Sequence, residues 1–294
     1  MIPDPVTEAI LRRLGSSGSG MPVIGTVSPV SGGSINDAYS FVANGEKYFV
    51  KLNSAGRYPG MFEAEAKGLE ILRNSGCINV PQVLFCENAG AYSFILMNYA
   101  AGSSPKPGFW EEAAQQLANL HKISNPVFGL DHDNYIGSLR QINTPAASWA
   151  DFLVNARFQP MIKMAGDAQL LNSNDFRKSE QLFSKLGNLI PAEPPALLHG
   201  DLWSGNLITG SSGLPCFIDP AVYWGHREID LAMTRLFGGF PQEFYHSYNQ
   251  AFPLEKGWQE RIDLNQLYPL LVHVNLFGGG YVSQVRYILK RYVG

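Results

Sequence analysis

Residues His199 to Asn206 read His-Gly-Asp-Leu-Trp-Ser-Gly-Asn, which is an H-x-D-x-x-x-x-N pattern. Such an octet sets a carboxylate and a carboxamide on one loop, and the chain then has to reverse at once. Leu207-Ile208-Thr209, the turn Gly210-Ser211-Ser212-Gly213 and Cys216-Phe217-Ile218 read as a hairpin, and the next residue is Asp219. Folding that hairpin back predicts that Asp219 approaches Asn206. A turn-capping Asp and a left-handed Asn would explain any one of these residues alone. They do not explain the full set at this spacing.

The rest of the chain divides into two kinds of pattern. Pro5 to Leu14 reads as a short helix, followed by a Gly/Ser stretch from Gly15 to Gly20. Tyr39, Phe41 and Ala43 alternate before Asn44-Gly45, and Tyr48-Phe49-Val50 follow. Asn-Gly between apolar runs predicts a hairpin, because both turn residues must take positive φ. A helix fits Met61 to Asn74, with Gly76 as its stop, and a second hairpin fits Val83 to Glu87 and Tyr92 to Met97 around Asn88-Ala89-Gly90. After a Pro/Gly/Ser break at residues 101–105, helical periodicity dominates. Trp110, Ala114, Leu117 and His121 make one stripe, and further helices fit 149–165, 175–189, 229–236, 243–251 and 264–277. The only strand signals in this half lie between Leu197 and Ile218. The expectation is therefore an α+β chain of two lobes with a cleft between them. Residues 1–98 would be a small antiparallel-sheet lobe with one main helix, and residues 99–294 a larger, mainly helical lobe.

The octet has the spacing of a kinase catalytic loop. Phosphoryl transfer needs a carboxylate to orient and deprotonate the accepting hydroxyl, here Asp201, and oxygen ligands for Mg²⁺, here Asn206 and Asp219. The front half should then supply a lysine and its partner. Lys51 ends the strand Tyr48 to Leu52, on the same face as Phe49. On the following helix Phe62, Ala66, Leu69 and Leu72 form an apolar face, and Glu65 falls within it whereas Glu63 does not. An ionised Glu on a buried face is costly unless a cation meets it, and Lys51 is the candidate. A snorkelling Glu and a free Lys would be the default for either residue alone. Ser31-Gly32-Gly33-Ser34 lies between two strands ahead of Lys51, where freed backbone N–H groups can approach phosphate. By itself it is only a turn signal.

Composition removes several other classes. Net charge is -3 with 22 Lys+Arg against 25 Asp+Glu, which argues against a nucleic-acid protein held by bulk charge. Three scattered cysteines make neither a disulfide framework nor a zinc site. The six histidines show no H-E-x-x-H spacing, and no G-x-S-x-G elbow or Walker A sequence is present. Leu267 to Val282, the most apolar stretch, is broken by Pro269, His273, Asn275 and three glycines, so no membrane span is expected. Residues 1–15 carry four charges and no apolar run, so the expected setting is a reducing cytoplasm.

On these residues the chain resembles the fructosamine kinase (ketosamine-3-kinase) family, in the aminoglycoside-phosphotransferase-like branch of the protein-kinase fold. The resemblance runs from Ser31-Gly32-Gly33 to the C-terminus. It is carried by Leu198 to Asn206 and above all by Ile218-Asp219-Pro220-Ala221-Val222-Tyr223-Trp224-Gly225-His226-Arg227-Glu228-Ile229-Asp230. Asp219-Pro-Ala stands where protein kinases have Asp-Phe-Gly, and there is no A-P-E, which disfavours a protein kinase.

The resemblance implies ATP-dependent phosphorylation of the sugar 3-hydroxyl of a ketosamine, with ATP and Mg²⁺ as cofactors. The phosphorylated adduct then falls apart and frees the amine, a deglycation repair. It implies Asp201 as base, Asn206 and Asp219 as Mg²⁺ ligands, Lys51 held by Glu65 on the phosphates, and Gly32, Gly33 and Ser34 over them. Met97, Asn98 and Tyr99 would form the hinge meeting adenine, and His199 and Asp230 would support the loop. Trp203, Trp224 and His226 would line the sugar site, although core packing explains the tryptophans almost as well. Asn98 stands where relatives often carry an acid, and Ser34 where some eukaryotic members carry a disulfide-forming cysteine. No such redox link is expected here. The implied acceptor is a small or protein-linked ketosamine. From composition neither nucleic acid nor membrane is expected as partner, and the sequence leaves the oligomeric state open, with a monomer the expectation. The alternatives are a kinase for an aminoglycoside or amino alcohol, and a pseudokinase binding module.

Overall fold

The computed structural model describes residues 1–15, 23–30, 35–102 and 104–294. The chain forms two compact units, one of residues 1–106 and 208–218 and the other of residues 107–207 and 219–294.

The first unit is a five-stranded antiparallel sheet of β1 (Ile24–Pro29), β2 (Asp37–Ala43), β3 (Glu46–Ser54), β4 (Val83–Ala89) and β5 (Tyr92–Asn98), in the order β1-β2-β3-β5-β4. At the β2–β3 turn Asn44 and Gly45 take φ of 53° and 81°, the left-handed pair that the Asn-Gly signal requires. Asn88 and Ala89 lie within β4 rather than in its turn, because the ladder continues to an Ala89–Tyr92 pair and Gly90 alone takes the positive φ. Helix α1 (Asp4–Gly15) covers one sheet face, packing Val6, Ala9 and Ile10 on Phe41, Val50, Leu52, Phe94 and Leu96. Helix α2 (Met61–Asn74) covers the other, with Phe62 and Leu69 on Ile95, Met97 and Phe49. Alternation along β3 decides which side chain meets which helix. Val50 and Leu52 face α1, and Phe49 and Lys51 face α2.

The second unit is mainly helical. Helix α3 (Phe109–His121) packs on a helix at Gln242–Ala251, and α4 (Glu228–Met233) packs on α5 (Ile262–Phe277). Helix α5 is apolar on most of its circumference, so it runs through the core with Leu264, Leu267, Leu271 and Val274 buried. Among the described residues no helix is long and apolar enough to cross a membrane. The 149–165 segment is helical but widens to a π-helix over Leu153–Phe158, and 175–189 splits into Ser173–Phe183 and Leu186–Leu189.

Two short ladders depart from the sequence expectation. Asn134–Ile136 pairs with Leu139–Gln141, and Tyr223–Gly225 pairs with Ala196–Leu198, in addition to the expected hairpin of Leu207–Thr209 with Pro215–Phe217. Elements of three residues carry too few side chains for a period to be read.

Candidate active site

In the first unit, β3 presents Lys51 opposite Ile95 of β5, on the face covered by α2. Its Nζ donates to Glu65 Oε1 at 2.7 Å, and both side chains are nearly enclosed. The helical stripe that holds Phe62 and Leu69 on the sheet carries Glu65 to the lysine. Removing either partner would strand a charge in a poorly solvated place, at a cost of about 3–5 kcal/mol.

At the end of β5, Met97 is buried in the sheet core and Asn98 is exposed. The Asn98 Oδ1 accepts the Gln82 N–H at 2.5 Å, and the Tyr99 N–H reaches Lys47 O at 3.1 Å. Lys47 Nζ lies 3.6 Å from the Tyr99 ring centroid. The asparagine thus fixes the backbone of this segment. Gly32, Gly33 and Ser34 fall outside the described residues.

In the second unit the loop after Leu198 is bound to α4. Asp230 accepts the His199 N–H at 2.8 Å and the Gly200 N–H at 2.9 Å, one on each carboxylate oxygen. His121 of α3 brings Nε2 to 3.2 Å from the same carboxylate, and its Nδ1 lies 2.8 Å from the Tyr248 hydroxyl. Asp230, His121 and His199 are all buried. Burial raises the Asp230 carboxyl pKa, but the hydrogen bond and charge of His121 overcome it and the net shift is downward. At Gly200 φ is +85°, and a Cβ there would lie 2.0 Å from Ala221 O, so the loop can approach the Asp219-Pro-Ala segment only with glycine.

This brace holds Asp201 and Asn206 in one geometry. Asn206 Nδ2 donates to Asp201 O at 2.8 Å and to Asp201 Oδ2 at 3.2 Å. The amide nitrogen is thereby spent on Asp201, which leaves Oδ1 as the oxygen available to a cation. Asp219 is exposed and takes φ of 55°, an uncommon conformation for a residue other than glycine. Burial first, and the nearby Asp219 charge second, push the Asp201 carboxyl up to about 7. A carboxyl poised there suits a general base at neutral pH. The donor set of one carboxamide oxygen and one exposed carboxylate is hard and incomplete, and it fits Mg²⁺ carried in with phosphate oxygens. Among the described residues no cluster of three His, Cys, Asp or Glu could hold a metal.

The fructosamine kinase family model matches residues 9–294, nearly the whole chain. The chain belongs to the fructosamine kinase family. A probable ketoamine kinase of Enterococcus faecium is 39% identical over 278 residues, which are 93% of this chain and 98% of that protein. The crystal structure of a putative fructosamine-3-kinase from Haemophilus somnus superposes with a TM-score of 0.87 at 30% identity, covering 97% of each chain. The aminoglycoside phosphotransferase APH(4)-Ia shares the fold, with a TM-score of 0.65 at 17% identity and 99% of each chain covered. This fructosamine kinase family member therefore has a protein-kinase-like α+β fold and is an ATP-dependent phosphotransferase.

The three residues expected at the sugar site part company. Trp203 is half-buried, with its ring over Gly205 and edge-on to Phe237. Trp224 is half-buried, and its backbone is paired with Leu197 and Gly129. His226 is wholly enclosed, 6.1 Å from the Trp149 ring, with Nδ1 taking the Glu228 N–H. Burial lowers its pKa, and it offers no surface to a sugar, so in this structure it is a core histidine. The adjacent signature residues are also structural. Arg227 forms a two-pronged pair with Glu193 at 2.7 and 2.9 Å, and Arg261 pairs with Glu228. Sequence reasoning missed His121 as a partner of Asp230. Its only signal was a histidine on an otherwise apolar helical stripe.

Proposed function

We propose that this fructosamine kinase family member phosphorylates the sugar 3-hydroxyl of ketosamines, using Mg-ATP, and so releases the glycated amine. The observation that carries the reading is the Asp201–Asn206 loop tied to Asp230, with the exposed Asp219 close enough to raise the Asp201 pKa. Asp201 is the base that takes the acceptor proton, and Asn206 orients its carboxylate. Asn206 Oδ1 and Asp219 hold Mg²⁺, which when bound neutralises charge on the transferred phosphoryl oxygens. Lys51, fixed by Glu65, meets the nucleotide phosphates together with Gly32, Gly33 and Ser34, and the Met97-Asn98-Tyr99 backbone meets adenine. The substrate class follows the names of the relatives, and the preferred sugars are ribulosamine- and erythrulosamine-type adducts. The test is ATP consumption against fructosyl-, ribulosyl- and erythrulosyl-lysine beside an aminoglycoside and an amino alcohol. Turnover confined to the last two would overturn the substrate assignment.

Lys51 gives a sharper check of the nucleotide half. Lys51→Met is expected to lower kcat/KM for ATP by about 10–100-fold, the worth of a charge-assisted hydrogen bond. The double variant Lys51→Met/Glu65→Leu should recover the melting temperature, because no charge is left stranded, but not kcat/KM for ATP. Recovery of both would remove Lys51 from nucleotide binding.

A further inference from the structure

Five aromatic side chains of the second unit form a connected cluster that begins two residues after Asp201. Trp203 stands edge-on to Phe237 at 6.1 Å, and Phe237 packs on His273 at 4.5 Å. Tyr281 lies 5.1 Å from His273 and 6.4 Å from Phe237, and Phe277 lies 5.4 Å from His273. The cluster is tied to the catalytic loop by Ser204, whose Oγ donates to Phe237 O at 3.1 Å. It is not core. Phe277 is 52% exposed, and Trp203, Phe237, His273 and Tyr281 all keep partial exposure.

His273 gives the cluster a polar direction. Its Nδ1 lies 2.8 Å from Pro269 O, and a carbonyl can only accept, so Nδ1 carries the proton. Burial lowers the ring's pKa, against the opposing effect of that hydrogen bond, so the imidazole is neutral near pH 7. Nε2 is then a lone-pair acceptor, and among the described residues nothing meets it. The rings of Phe237, Tyr281 and Phe277 lie beside this imidazole at 4.5, 5.1 and 5.4 Å. Aromatic rings next to a lone pair suit a hydrogen-bearing cation, an alkylated ammonium above all because its alkyl arms also cover the rings. A ketosamine carries such a group. Its secondary ammonium sits on C1, a short carbon spacer from the 3-hydroxyl.

We infer that Trp203, Phe237, Phe277 and Tyr281, with His273 Nε2, form the subsite for the secondary ammonium that joins the ketose to its carrier. This assignment rests on the ketosamine reading, and it places the carrier arm on the Phe277 side. The subsite selects for charge as well as shape. A neutral isostere with an ether oxygen in place of the nitrogen fills the same volume but gains neither the ring attraction nor the bond to Nε2.

Calorimetric titration in the presence of Mg-ADP tests this without turnover, with 1-N-butyl-fructosamine and 1-O-butyl-fructose as probes. The wild type is expected to bind the amine about tenfold more tightly or better. In Phe277→Leu/Tyr281→Leu apolar cover is kept and two of the four rings are lost, so that preference should fall by about threefold or more while ether affinity holds. An unchanged preference in the variant, an equal loss for both probes, or no preference in the wild type would each overturn the subsite. If the double variant melts early, Phe277→Leu alone, at an exposed position, carries the comparison. Failure of the ketosamine reading shows differently. The amine probe would bind with the expected preference, yet no ketosamine would consume ATP.

Discussion

Asp201→Asn is expected to cut kcat by about 10²–10⁴-fold and, at pH 8, to raise the melting temperature of the ligand-free protein. The two effects share one cause. The carboxyl titrates near 7 because burial and then the Asp219 charge oppose its ionisation, so above that pH the folded chain holds a carboxylate it would hold more comfortably unfolded. A folded pKa raised above its ordinary 3.8 means that the protonated form favours folding. That contribution is complete below about pH 4 and is lost as pH rises through about 7. Asparagine never acquires the charge, and its side-chain oxygen can still accept from Asn206 Nδ2. The stability gained by the variant should therefore be absent near pH 4 and grow through pH 7 to roughly 1–3 kcal/mol, the full shift being discounted for the residue's remaining contact with solvent. Paired thermal melts at pH 4.5 and 8, beside initial rates, decide the matter. A variant that is inactive but no more stable at pH 8 would show that the strained carboxylate is not where the activity is stored. Retained turnover would remove Asp201 from the base role.

Much of the scaffold was legible because it repeats. The stripe Phe62, Ala66, Leu69, Leu72 has the helical period and bounded α2 at Met61 and Asn74, and Asn44-Gly45 has no other low-strain use than the turn it makes. The Lys51–Glu65 contact was also within reach. A charged residue inside an apolar stripe needs a partner, and β3 offered Lys51 on the matching face. What escaped was long-range or too short to have a period. His121 and Asp230 are 109 positions apart, and nothing local to either announces the other. His226 sits in a signature run, and the run could be read as site or as core. Enclosure against Trp149 and Glu228 decides for core, and neighbours of that kind are set by the packed unit rather than by spacing.

Asp230→Ala is expected to be the most destabilising single change in the catalytic unit, by about 3–5 kcal/mol. Three buried donors converge on that carboxylate, the N–H groups of His199 and Gly200 and the His121 ring, and alanine leaves all of them without it. Asp230→Asn keeps one acceptor and turns a donor toward the other N–H, so about half that loss is expected. The pH dependence fixes the origin. Despite burial, the bond and charge from His121 hold the Asp230 pKa below 3.8, so its contribution is fully present above that value and is lost as pH falls through the lower folded one. The deficit of Asp230→Asn should accordingly be constant from pH 6 to 8 and shrink only in strong acid. Urea melts across that range measure it. Because Gly200 carries Asp201 next in sequence, loss of the brace should also lower kcat in whatever fraction stays folded, with KM for ATP nearly unchanged. A variant that melts like the wild type would mean that the loop is held by the Ala221 N–H bond to His199 O and the Gly200 packing alone.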